Sequence, residues 1–181
     1  MALELTVREA AVLSGIAEGR IRKDIEHGVC GAGTPPRLEV ADVIYLCATV
    51  QLGIRLNVAD RKRFHQLIWK KMARDREFRT PLEVGSIVLI NLRELFASVG
   101  ERASRFADWK RRRVVSRDDV LGGEPIFRNS RLSVRHVGAM LSRGASRGEV
   151  LEDYPYLRAE DLEFAKLYAE ANPRVGRPRS D

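Results

Sequence analysis

Apolar and polar positions recur along this chain mostly at helical spacing. Thr6 followed three residues later by Glu9 is a capping box. Val7, Ala10, Ala11 and Leu13 behind it make the apolar stripe of a first helix, which Gly15 ends. Ala11, Gly15, Ile16 and Ile21 then supply the small crossing residue, the turn glycine and the aliphatic core of a helix-turn-helix. Two helices joined by a tight turn meet closely only where the crossing residue is small. The second helix, roughly 17–27, points Ile21 and Ile25 inward. Val29-Cys30, the tip Gly31-Ala32-Gly33-Thr34 and Pro35-Pro36-Arg37-Leu38 predict a hairpin wing, or a loop in its place. Val40 to Leu52 is apolar nearly all round, the pattern of a buried helix. Asn57 and Asp60 introduce an amphipathic helix with Phe64, Leu67, Ile68 and Met72 inward. Its cations Arg61, Lys62, Arg63, Lys70, Lys71 and Arg74 read as largely outward, and His65 as a surface or cap residue.

After Thr80-Pro81, the β-branched run Val84 to Ile90 predicts one strand, to be paired with the wing, with the Val114 region or with a second subunit. Leu92, Leu95, Phe96, Val99, Ala103 and Phe106 predict an amphipathic helix. Lys110-Arg111-Arg112-Arg113 closes it, either clamping a nucleic-acid backbone or lying in a solvated linker. Gly122-Gly123 and Asn129-Ser130 flank an extended Pro125-Ile126-Phe127 and predict a hairpin. Three short helices follow: Val134 to Arg143, a second capped by Ser146 and Glu149 and stopped by Pro155, and a third marked by Leu162, Ala165, Tyr168 and Ala169. The expected fold is mainly α with short β-hairpins. It comprises an N-terminal winged helix-turn-helix (1–80), a strand and connector helix (81–113), a three-helix domain with a leading hairpin (114–173) and a basic tail (174–181) expected to be disordered when free.

Charge changes this picture more than composition does. The net +7 lies wholly in residues 1–113, with 21 Lys+Arg against 14 Asp+Glu, while residues 114–181 hold 11 of each. Concentrated positive charge favours polyanions, because neutralised phosphates release counterions. The outward face of the second helix carries Gly19, Arg20, Lys23, Glu26 and His27, with Arg22 on its flank. Arg20, Arg22, Lys23 and His27, with Arg37 of the wing, are therefore candidate contacts to DNA phosphates or guanine edges. A packing unit with a solvated basic surface is the alternative. Cys30 and Cys47 are far apart without metal-type spacing and read as buried thiols. No apolar run approaches the ~18 residues of a membrane span and the N-terminus lacks a secretion-signal pattern, so a cytoplasmic protein is expected. His27, His65 and His136 are scattered and no glycine-rich phosphate loop follows a strand. The expectation is a non-enzyme without cofactor or metal.

The order helix, turn, helix, wing, followed by Val40-Ala41-Asp42-Val43, resembles the winged DNA-binding domains of the MerR and excisionase type over roughly the first 50 residues. Further on, Leu121-Gly122-Gly123-Glu124-Pro125-Ile126, Arg131-Leu132-Ser133-Val134, Gly144-Ala145-Ser146 and Val150-Leu151-Glu152-Asp153-Tyr154-Pro155-Tyr156-Leu157 occur in order. This second part resembles the domain-of-unknown-function family numbered four hundred and thirty-three. Asn129-Ser130 stands where that family usually has Gly-Thr, and Arg158 where a Ser or Thr cap is common. The resemblance implies a VapB-type antitoxin whose partner is a PIN-like ribonuclease toxin. It leaves open which half binds DNA, since the family domain itself contains a helix-turn-helix. Residues 114–173 are slightly more acidic than basic, and Glu149, Glu152 and Asp153 on their second helix would repel phosphates. Operator binding is thus expected of the N-terminal domain and protein contacts of the C-terminal one. A homodimer is expected because paired half-sites extend a short recognition helix. Arg174, Arg177 and Arg179 of the tail are candidate toxin contacts. The competing expectations are a stand-alone transcription regulator without a toxin and a nucleic-acid-processing enzyme.

Overall fold

The computed structural model describes residues 4–51, 53, 56–75, 78–84 and 88–173. It is mainly helical with two short antiparallel strand pairs, and it divides into units 1–108 and 109–181. Arg174, Arg177 and Arg179 lie outside the described residues.

In the first unit, α1 (Val7–Ser14) starts at Thr6, whose hydroxyl accepts from Glu9 N at 3.2 Å while Glu9 Oε2 accepts from Thr6 N at 2.8 Å. Gly15 ends it at φ +70°, a left-handed conformation that a side chain would strain. Ile16 and Ala17 complete the turn into α2 (Glu18–Glu26). Leu5 and Leu38 bridge backbone to backbone at 2.8 and 2.9 Å, and Ala32 pairs with Arg37 at 2.9 and 2.7 Å. The wing is therefore a narrow hairpin, closed by a single residue pair around 33–36. α3 (Val40–Gln51) is buried from Val40 through Ala48 and packs against α1 and α4 (Val58–Arg74). Asn57 caps α4 by accepting from Asp60 N at 2.9 Å.

Two details differ from the sequence reading. Val84 to Ile90 is not one strand. β1 (Leu82–Val84) pairs antiparallel with β2 (Val88–Ile90), Val84 opposite Val88, so the partner is the adjoining segment rather than the wing, the Val114 region or another subunit. The helical run after Leu92 is continuous but not uniformly α: α5 (Arg93–Leu95) passes through a π turn, Phe96–Gly100, into α6 (Glu101–Arg113). Phe96 covers Gly100 so closely that a β-carbon there would stand 2.5 Å from the ring. The division between the two units falls within α6, between Asp108 and Trp109.

The second unit is built around Trp109, which is fully buried between Phe127 and Phe164 at ring-centroid distances of 6.3 and 5.7 Å. β3 (Val114–Val115) pairs with β4 (Ile126–Phe127), and Ile126 also bridges Ser133 on its other side. Asn129 takes φ +63°, which explains how asparagine replaces the more usual glycine there. Ser133 caps α7 (Val134–Ser142), Ser146 and Glu149 form a reciprocal box on α8 (Arg147–Asp153), and α9 (Ala159–Ala171) closes the unit.

α9 lies directly against Gly138 of α7. A β-carbon there would stand 2.2 Å from Ala165 O and 2.6 Å from Ala169 Cβ. The first of these is backbone, so no rotamer change relieves it. Gly138→Ala is expected to lower stability by a net 1–2 kcal/mol or so, since overpacking outweighs the roughly 1 kcal/mol by which alanine favours a helix. A lower denaturant midpoint in equilibrium unfolding checks this.

Candidate nucleic-acid interface

Helix α2 shows two unlike faces. Its inner face holds Ile21 and Asp24, both at 0% exposure, with Ile25 half-buried beside them. A carboxylate at the bottom of a small helical core is expensive unless paired. Arg61 of α4 donates to Asp24 Oδ1. Tyr45 of α3 donates its hydroxyl to Asp24 Oδ2 at 3.2 Å, and Arg20 Nη2 approaches the same oxygen at 3.7 Å from the solvent side. Burial and the adjoining Asp24 carboxylate both push the Tyr45 hydroxyl well above its usual range, so it remains a donor. Arg61 is thus buried rather than outward, which corrects the sequence reading. It shares a face with Phe64 and Ile68, both buried, at three- and seven-residue spacing.

The outer face of α2 carries Arg20, Arg22, Lys23, Glu26 and His27, all exposed. Arg22 pairs with Glu18 at 3.2 Å, and Glu18 also meets Arg8 at 3.4 Å. Lys23 and His27 hold no ion pair among the described residues. Gly28 ends the helix at φ +62°, and Lys62 of α4 reaches to 3.7 Å from where its β-carbon would stand. A cation from α4 is therefore added at the C-terminal end of α2, where the helix dipole also favours it. Arg37 is exposed on the wing hairpin. The structure thus places the five sequence-derived candidates at the surface, three on α2, His27 at its C-cap and Arg37 on the hairpin that follows.

Beside the hairpin lies a cleft of about 540 Å³ lined by Gly31, Thr34, Arg37, Glu39, His65 and the half-exposed Trp69, among others. His65 is neither a surface residue nor a cap. Its Nε2 lies 2.5 Å from Asp42 Oδ1, and its ring stands edge-on to Tyr45 at 5.3 Å. Asp42 Oδ2 meanwhile accepts from Glu39 N at 2.7 Å, so one carboxylate both starts α3 and ties it to α4. Cys30 is buried, and that burial, with Asp42 and Asp24 nearby, raises its thiol to about 12; burial raises Cys47 to about 11. Both thiols stay protonated at neutral pH and are poor nucleophiles. Of the basic run ending α6, Arg113 turns inward to Asp161 of α9, with Nη2–Oδ2 at 2.5 Å, rather than offering itself to a backbone.

The residues that sequence reasoning missed are Asp24, Arg61 and Trp69. For the first two the signal was position. Asp24 falls on the same arc of α2 as Ile21 and Ile25, and Arg61 on that of Phe64 and Ile68.

Among the described residues no helix is long and apolar enough to cross a membrane. The chain is 34% identical over 132 residues to an uncharacterized protein, y4eO, of Sinorhizobium fredii, an alignment covering 70% of this chain and 55% of that protein. The chain therefore spans about half the length of the curated relative it matches. No solved structure matches it. Residues 114–169, most of the second unit, match the family model described as protein of unknown function DUF433.

Proposed function

We propose that the protein binds duplex DNA through its first unit and a partner protein through its second, acting as an antitoxin that represses its own operon. The observation that carries the DNA reading is the exposed cationic face of α2, continued by Lys62 at one end and followed by the Arg37 hairpin. A convex helix of this kind enters a major groove, while the hairpin arginine meets the adjacent backbone. The second unit presents Glu149, Glu152 and Asp153 exposed on α8, the helix that would be the reader if this half bound DNA. Phosphates would be repelled there. The toxin reading rests on the resemblance of residues 114–173 to VapB-type antitoxins, and its partner is a PIN-like ribonuclease. A homodimer would place two copies of α2 on half-sites one helical turn apart.

The joint substitution Arg20→Ala with Lys23→Ala tests the interface. It is expected to abolish detectable binding to a duplex carrying the DNA upstream of the gene, with the circular-dichroism spectrum unchanged. Fluorescence anisotropy with that duplex reads the result, and unchanged affinity places recognition elsewhere. Co-purification with the product of the adjacent gene separates an antitoxin from a regulator that acts alone.

A further inference from the structure

We propose that the groove between α7 and α9 of the second unit docks an acidic segment of a partner protein. This inference rests on the reading of the second unit as the protein-binding half, and it names the surface and the chemistry it selects.

The groove has a volume of about 660 Å³. Arg135, His136 and Arg143 line it from α7 and its C-terminal end, and Lys166 lines it from α9, with Glu170 the one carboxylate among the described lining residues. The small side chains Ala139 and Ala169 lie among these residues and leave the space open. Such a concentration of positive charge runs against the balance of the unit, where acidic residues slightly outnumber basic ones over 114–173. Carboxylates predominate on α8, where Glu149, Glu152 and Asp153 stand exposed, and Arg135, Arg143 and Lys166 outnumber Glu170 in the groove. His136, Arg143 and Lys166 hold no ion pair among the described residues. Arg135 reaches Glu124 only at 3.9 Å, and its Nε is buried without a hydrogen-bond partner. That buried Nε is closed to an incoming group, so the exposed Arg143 and Lys166 are the cations that a carboxylate entering the groove would meet.

The occupant follows from both charge and shape. Duplex phosphates would satisfy the cations but offer nothing to Ala139, Ala169 and Pro173. An acidic peptide with apolar side chains between its carboxylates satisfies both. The chain's own continuation is the wrong sign, since Arg174, Arg177 and Arg179 follow Pro173.

The test uses the full chain and two fluorescein-labelled peptides of equal length, one alternating glutamate with leucine, the other lysine with leucine. Anisotropy titrations are expected to show binding of the acidic peptide alone. Arg143→Glu with Lys166→Glu, both exposed positions, is expected to weaken that binding at least about 10-fold while leaving the circular-dichroism spectrum and duplex affinity unchanged. Equal binding of the two peptides, no binding of either, or an unmoved affinity in the charge-reversed variant overturns the proposal. A fall in duplex affinity in that variant makes the groove a phosphate site, and a changed mass by light scattering makes it a contact between copies; either result also overturns it. A toxin held equally well by the variant leaves the antitoxin reading standing and removes the groove. Acidic-peptide binding in a protein with no toxin partner does the reverse.

Discussion

Replacing Asp161 with alanine is expected to cost the second unit about 3–5 kcal/mol, the range for removing one member of a buried ion pair. Asp161 is 1% exposed and holds three residues at once. Its carboxylate accepts from Trp109 Nε1 at 2.8 Å, from Arg113 Nε and Nη2 at 2.9 and 2.5 Å, and from Arg158 N at 2.8 Å. It therefore caps α9, satisfies the one polar atom of the central tryptophan and neutralises the last arginine of α6. Alanine removes the carboxylate that accepts from a buried indole N–H and from a largely covered guanidinium. Trp109 reports the outcome. With the other tryptophan removed by Trp69→Phe, its fluorescence follows unfolding of this unit in denaturant.

The same carboxylate gives a pH dependence. Burial, the largest single influence on Asp161, raises its pKa, but the hydrogen bonds from Arg113, Trp109 and Arg158 together hold it below the usual carboxylate range. A depressed folded pKa contributes stability that is fully present above the unfolded value, about 3.9, and is lost as pH falls through the folded one. The wild type should lose stability in that acidic window more steeply than Asp161→Asn, which has no charge to titrate there.

The second large effect concerns Asp24. Asp24→Ala strands Arg61 in the core of the first unit and is expected to cost about 3–5 kcal/mol by circular dichroism in denaturant. Asp24→Leu combined with Arg61→Met should recover most of that loss, because a buried pair replaced by apolar residues of similar bulk is often neutral or better. The pair is an inefficient source of stability here, since Arg61 Nε has no hydrogen-bond partner. Its effect should appear in binding instead. Arg20, on the outer face, lies 3.7 Å from Asp24, so the buried carboxylate holds a guanidinium that also faces outward. The double variant is therefore expected to fold and yet bind duplex DNA more weakly than the wild type. Wild-type affinity in that variant would make the network structural only.

The sequence made local features legible and hid those that depend on distant partners. Thr6 with Glu9 and Ser146 with Glu149 act within one helical turn, and both boxes form as read. Gly15 must be glycine for reasons confined to its own backbone. The apolar face of α3 needed no knowledge of what covers it. Asp24 and Arg61, by contrast, are polar residues at core positions of two helices, 37 residues apart, and each looks like an interruption until the other is known. Asp161 caps its own helix from within one turn, but its other partners, Trp109 and Arg113, precede it by 52 and 48 residues. β1 and β2 were not told apart because Val84, Val88 and Ile90 favour extended backbone whichever strand they belong to. The wing was legible in outline, as a hairpin around a glycine-rich tip, and is narrower than its sequence suggests because Leu38 pairs with Leu5 instead.

Recognition of particular DNA by the first unit, as proposed, is tested most directly by competition binding. The full chain is titrated into a labelled duplex carrying the sequence upstream of its gene, and then into an unrelated duplex of equal length, at two salt concentrations. The expected result is tighter binding to the upstream sequence at both, with both affinities falling as salt rises. Equal affinity for the two duplexes, or no binding to either, would contradict it.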